Sequence, residues 1–143
     1  DFPLHRVSET RKNIGHRKFY CLGQEITKQR EKATYYLNRL KDLAGIKIIA
    51  ESNGDYSNYP FLTLIFDQPM KRNKALNIFK NSGLGVSRIY LSAITDYTYL
   101  KNIYSPQDCS NARYLAERHI TLSTSAFLKN KELDLIIEKI RKL

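Results

Sequence analysis

Apolar residues recur along this chain at two different periods, and the switches between them mark out its elements. From about Phe19 to Ala44, the positions Leu22, Ile26, Ala33, Tyr36 or Leu37, Leu40 and Ala44 keep a helical spacing. They predict a long helix with one buried stripe, stopped by Gly45, because glycine takes positive φ at little cost. Upstream, Ser8-Glu9 can open a helix with Ser8 as its cap, and Gly15 is the expected point of interruption. Ile46 to Ala50 reads as a short strand and Ser52-Asn53-Gly54-Asp55 as a turn. The run Phe61-Leu62-Thr63-Leu64-Ile65-Phe66 is too short for a typical helix and rich in strand formers.

Asp67-Gln68-Pro69 then opens a helix with Ala75, Ile78, Phe79 and Ser82 on one side and Gly83 at its end. Val86 to Leu91 reads as a strand, and Ser92 to Pro106 as an irregular stretch rich in Tyr and Thr. Pro106 to Arg118 is an expected helix, Ile120 to Leu122 a strand, and Asn130 the expected cap of a last helix. In that helix Leu133, Ile136, Ile137, Ile140 and Leu143 follow helical spacing. The mixed order predicts an α+β fold, a small sheet with helices packed mainly on one face and preceded by a long helix. Residues 1–143 are expected to form one domain, with 1–45 as a helical segment and 46–143 as the α+β part.

Composition narrows the class. With 143 residues and 42% hydrophobic content, the chain can bury the core of one domain, and two would be cramped. Its longest apolar run is far below the ~20 residues that cross a bilayer, so no membrane association is expected. No basic-then-apolar leader opens the chain. It starts Asp1-Phe2-Pro3 without an initiator Met, as a processed or truncated product would. Cys21 and Cys109 stand far apart without metal-ligand spacing, which reads as two reduced thiols in a cytoplasmic protein; nothing demands a disulfide.

The net charge of +10 raises a second class of function. Arg6, Arg11, Lys12, Arg17 and Lys18 lie close together with only Glu9 among them. A basic nucleic-acid-binding module would gather these side chains on one face beside exposed aromatics. The competing reading is a solvated helix face, the pattern that interleaved charges such as Glu138-Lys139-Ile140-Arg141-Lys142 show elsewhere.

Self-contained catalysis finds little support. His5, His16 and His119 are the only histidines, and none has partners at zinc-ligand spacing, so no metal site is expected. His119 closes a helix whose C-terminal dipole favours a cation, a structural role. Gly83-Leu84-Gly85 follows a helix and enters a strand, the reverse of a phosphate loop. The lysines lie on polar faces, without the burial or neighbouring cation that a Schiff-base lysine needs. No catalytic and no cofactor-binding residue is expected within this chain.

Several segments in order support a family resemblance. Arg6-Val7-Ser8-Glu9 followed by Ile14-Gly15 is similar to the Arg-Met-Ser-Glu…Ile-Gly signature of the DegT/StrS-type aminotransferases. Arg30 with Ala33-Thr34-Tyr35-Tyr36 resembles that family's Arg-rich helix ending in Ala-x-Tyr-Tyr. Gly83-Leu84-Gly85-Val86-Ser87-Arg88-Ile89-Tyr90 resembles Gly-Ile-Gly-x-Ser-x-x-Tyr. Ala112 to Leu122 resembles Ala-x-x-Leu-Ala-Glu-Arg-x-Ile-x-Leu, with Leu133-Asp134 in the closing helix.

These enzymes use pyridoxal phosphate on nucleotide-linked sugars, so the resemblance implies a C-terminal small domain, about the last two-fifths of such an enzyme. The large domain with the Schiff-base lysine would lie upstream. Residues 1–45 would then be an interdomain or dimer helix, the parent a homodimer, and its pathway polysaccharide or lipopolysaccharide sugar synthesis. Pyridoxal phosphate belongs to the full-length parent, and none is expected in this chain alone. Arg88, Tyr90 and Ser92 are the implied substrate-binding residues, since an Arg fork suits a phosphate and a Tyr offers a ring face plus a hydroxyl. Equally, alternate residues on such a strand face core and solvent for packing alone.

Departures from the pattern are local. Leu4 occupies the place of the family asparagine that reaches the partner's cofactor phosphate. Tyr90-Leu91-Ser92-Ala93-Ile94-Thr95 replaces Tyr-Pro-x-Pro-Leu-His, and Leu122-Ser123-Thr124-Ser125-Ala126 replaces Leu-Pro-x-His-Pro. These changes imply either a divergent subgroup or a non-catalytic, degenerate member used for assembly.

Overall fold

The run Phe61–Phe66 is apolar at all but one position because it forms a strand with neighbours on both edges, one face buried and the other partly covered. This strand, β2, pairs antiparallel with β1 (Ile46–Ile49) and with β4 (His119–Ser123). A two-residue β3 (Val86–Ser87) completes a four-stranded sheet of order β1-β2-β4-β3. The computed structural model describes residues 7–100, 103, 105 and 109–143. Leu4, His5, Arg6 and Pro106 lie outside the described residues.

Strand alternation sends one set of side chains to each face. Leu62, Leu64 and Phe66 of β2 join Ile120 and Leu122 of β4 in the core. Three helices cover that face: α2 (Leu22–Leu40) brings Ala33, Tyr36 and Leu40, α3 (Pro69–Phe79) brings Ala75 and Phe79, and α5 (Asn130–Arg141) brings Leu133, Ile136, Ile137 and Ile140. The expected α+β class, with helices mainly on one face, is what the chain adopts. Helix α4 (Ser110–Arg118) lies against the other face.

The expected long helix is two helices. Helix α1 (Glu9–Tyr20) runs through Gly15 and ends at Cys21, whose N–H turns back to the Lys18 carbonyl at 3.1 Å. Ser8 caps α1 as expected, accepting the Arg11 N–H at 3.4 Å. Helix α2 then begins with Leu22, which is 47% exposed rather than part of a buried stripe. Ala44 is exposed as well, because the helix stops before it and Gly45 turns the chain at φ 78°.

Other boundaries also shift. Helix α3 ends at Phe79, before Gly83, because Asn81 already takes the left-handed conformation at φ 61°. Ser82 is therefore off the helix. Asn130 is the first residue of α5 and not its cap; Glu132 reaches back to accept the Lys129 N–H at 2.7 Å. The predicted strand Val86–Leu91 pairs only through Ser87.

One polar knot ties α2 to the β1–β2 connection. The Arg30 guanidinium donates Nη1 to Glu51 Oε2 and Nη2 to Glu51 Oε1, each at 2.8 Å, and lies 4.1 Å over the Tyr56 ring. The Ser57 N–H donates to the same carboxylate at 2.8 Å. These bonds, that from Arg30 foremost, hold the Glu51 carboxyl down to about 2 from an ordinary 4.5. A lowered folded-state value gives stability that is complete above pH 4.5 and lost as pH falls towards 2. Denaturant unfolding measured across that window is expected to lose stability with acid, and Glu51→Gln to flatten that part of the slope.

Candidate functional site

The face of the sheet away from α2, α3 and α5 is only partly covered. Phe61, Thr63 and Ile65 of β2 and Thr121 of β4 form its floor, since they alternate with the core residues of the same strands. Ala112, Leu115 and Ala116 of α4 form one wall, and the segment from Ile89 to Ile94 forms another. Between them lies a cleft of about 510 Å³ whose surface is overwhelmingly apolar.

Two of the three residues expected to meet substrate are brought together here. Tyr90 and Ser92 both line the cleft. Arg88 does not; it is exposed, outside the lining, with its charge close to Arg72 of α3. Burial first, and then the Arg88 charge, lower the proton affinity of the Arg72 guanidinium. The reason for this split is the short β3. Past Ser87 the Tyr90 N–H finds the Nε2 of His119 at 3.4 Å in place of a ladder carbonyl. The segment therefore leaves the sheet plane and folds over the cleft.

Sequence reasoning gave His119 a structural role at the end of a helix. The residue is 4% exposed, lines the cleft and brings Nδ1 to 2.8 Å from the Leu115 carbonyl oxygen. A carbonyl only accepts, so Nδ1 carries the proton, while Nε2 must be bare to accept from Tyr90. The ring thus serves as one donor and one acceptor where α4 meets β4. Asp96 and Arg113 were not singled out from sequence. Arg113 Nε donates to Asp96 Oδ1 at 2.8 Å, and Asp96 Oδ2 accepts the Ala93 N–H at 3.1 Å. The Arg113 bond chiefly lowers the Asp96 carboxyl below its ordinary value. No local spacing signals this pair, because it joins two segments that meet only after folding.

The cleft does not fit pyridoxal phosphate. Among the described residues no lysine lines it to form a Schiff base, and no arginine lines it to hold a phosphate. Among the described residues no group of three His, Cys, Asp or Glu side chains could hold a metal. No helix among them is long and apolar enough to cross a membrane. Cys21 and Cys109 are both free thiols. On α1, Arg11 and Lys18 share a side, whereas Lys12 and Arg17 point to others at ~100° per residue. Lys12 is also paired with Glu9 at 2.6 Å. That geometry lacks the one-sided basic face of a nucleic-acid reader, and Arg6 lies outside the described residues.

Comparison with known proteins adds lineage to this geometry. A model of the DegT/DnrJ/EryC1/StrS aminotransferase family matches residues 5–141. The dTDP-4-amino-4,6-dideoxy-D-glucose transaminase of Shigella dysenteriae is 29% identical over 111 residues, covering 76% of this chain and 30% of the relative. The structure of S. venezuelae DesV superposes with a TM-score of 0.85 at 15% identity, over 96% of this chain and 36% of that one. E. coli GDP-4-keto-6-deoxy-D-mannose-3-dehydratase with bound hydrated PLP gives 0.78 at 18% identity, over 97% and 37%. At such identities the structural likeness speaks for the fold alone, and a dehydratase shares it. The chain spans between 30% and 37% of the length of these relatives.

The cleft segment enters through Gly85, and this glycine is required by space as well as by backbone. It has φ 67°, and a Cβ there would sit 2.6 Å from the Cβ of Ser123. Its carbonyl accepts the Ser123 N–H at 3.1 Å, so retreat is costly. Gly85→Ala is expected to destabilise by roughly 1–3 kcal/mol in denaturant unfolding. Gly15→Ala, in open space within α1, is expected to stabilise by about 0.5–1 kcal/mol.

Proposed function

Because the chain belongs to the DegT/DnrJ/EryC1/StrS aminotransferase family, we propose that it is the C-terminal small domain of a pyridoxal-phosphate-dependent aminotransferase acting on a nucleotide-linked sugar. The observation that carries this reading is the apolar cleft, with two polar side chains, Tyr90 and Ser92, on the segment where the family resemblance sets the substrate. Ile65, Ile89 and Leu115 would exclude water from the sugar, while the Tyr90 and Ser92 hydroxyls would bond its oxygens. Arg88, outside the cleft and exposed, is assigned to the anionic nucleotide part. Cofactor chemistry is left to the rest of the protein, an upstream large domain with its lysine.

Helix α1 supports a role for residues 1–45 as an interdomain or dimer segment beside a small domain of 46–143. None of its residues is buried, and Ile14, Phe19 and Tyr20 are 57%, 71% and 74% exposed. A helix of this length is marginal alone in water, so a covering partner is called for. The proposed cover is the large domain together with a second copy of the protein. The pathway assigned is polysaccharide or lipopolysaccharide sugar synthesis, in the cytoplasm.

Residues 1–143 alone are expected to show no transamination and no bound yellow cofactor; a stoichiometric yellow complex of this chain by itself would overturn the assignment. In the full-length protein, assayed with glutamate and a dTDP-linked 4-keto sugar, Tyr90→Phe and Ser92→Ala should each raise KM for the sugar by roughly five- to tenfold, the loss of one hydrogen bond. Unchanged kinetics in both variants would refute the substrate role. Phe19→Asp should shift the full-length protein towards monomer in sedimentation while leaving the helix content of the chain intact.

A further inference from the structure

From the contacts at the base of the cleft, we infer that His119 is a positioning residue. It clamps the segment bearing Tyr90 and Ser92 over the cleft through the bare nitrogen of its neutral ring. The inference rests on the reading of those two side chains as substrate-facing. It adds a role to a residue that the family motif leaves unspecified.

Three observations converge. The ring is buried at the start of β4 and fixed from below, with Nδ1 donating to the last turn of α4 at Leu115. Its Nε2 then accepts from the backbone amide of Tyr90, which lies beyond the β3–β4 pairing. The Tyr90 ring also rests on it, at 6.0 Å between centroids with the planes tilted by 50°. Ser92 sits between this anchor and a second one, where Asp96 holds the Ala93 N–H and is itself held by Arg113 of α4. The segment is therefore pinned on both sides of Ser92 by groups from α4 and the start of β4.

A histidine suits this place because it offers one donor and one acceptor across a rigid ring. The bond to Tyr90 is long, so the clamp holds a segment and does not weld it. A phenyl ring of similar size would fill the space and leave both the Leu115 carbonyl and the Tyr90 N–H unpaired. Glutamine keeps one donor and one acceptor on its amide.

The test uses the full-length protein with nitrogen-labelled histidine. The His119 signals, assigned by their loss in H119Q, should show the proton on Nδ1. Hydrogen exchange of the amides from Ile89 to Ala93 should accelerate about fivefold in H119F, the weight of one net hydrogen bond. The amides of Ile120 and Leu122 should not change, and H119Q should restore slow exchange. A proton on Nε2, or unchanged exchange of the segment in H119F, overturns the clamp. The tautomer is read on the unsubstituted protein, so it decides even where H119F does not fold. Inert Tyr90→Phe and Ser92→Ala variants would instead remove the substrate reading and leave the clamp standing.

Discussion

The antiparallel register between Phe61–Phe66 and His119–Ser123 is the constraint on which the rest of the structure depends. Leu64 lies opposite Ile120, Leu62 opposite Leu122, and Thr63 opposite Thr121. Because successive side chains alternate, one register delivers the aliphatic pairs to the helices and Thr63, Thr121 and His119 to the open face. A slip of a single residue would exchange the two sets and lose core and cleft together. Core packing and cleft are thus fixed by the same row of hydrogen bonds.

Around that pair, polar contacts fasten the connections that the sheet cannot hold. Thr124 Oγ1 donates to the Tyr59 carbonyl at 2.6 Å, tying the end of β4 to the entry of β2. Lys32 of α2 donates to the Ser125 carbonyl at 2.7 Å and to that of Leu128, which sets the loop before α5. Tyr35 donates to Asp134 while its ring lies 3.6 Å under Arg39, locking α2 against α5. Each of these bonds spans many residues of chain; the first two fasten loops, and the third joins two helices.

Elements whose shape is set by their own side chains were legible in the sequence. The stripe from Leu133 to Ile140 gave α5 and the unbroken run at Phe61 gave a central strand, whereas α2 stops at Leu40, ahead of the expected Gly45, whose positive φ turns the chain into β1. What escaped depends on partners. Strand β3 pairs only as far as Thr121, although β4 extends to Ile120 and His119, and nothing between Val86 and Leu91 encodes that early end. The break at Cys21 replaces the one expected at Gly15, because a lone glycine on an exposed helix is tolerated at modest cost. The site was half legible. Tyr90 and Ser92 came from the resemblance, whereas the tautomer of His119 is chosen by two backbone groups that only the fold brings near. Arg88 came from the same resemblance, but β3 ends one residue before it and its side chain lies outside the cleft.

Helix α5 contributes four buried residues to the sealed face, yet it follows every strand in chain order. During synthesis Leu40, Phe66 and Leu122 therefore exist before Ile136 and Ile140 do. For that interval a twisted sheet with one oily side is exposed to the crowded ribosome exit, when holdase chaperones have their best purchase on a nascent chain. A premature stop ahead of Leu133 would make that interval permanent, and the protein would be a matter for proteolysis before it was one for chemistry.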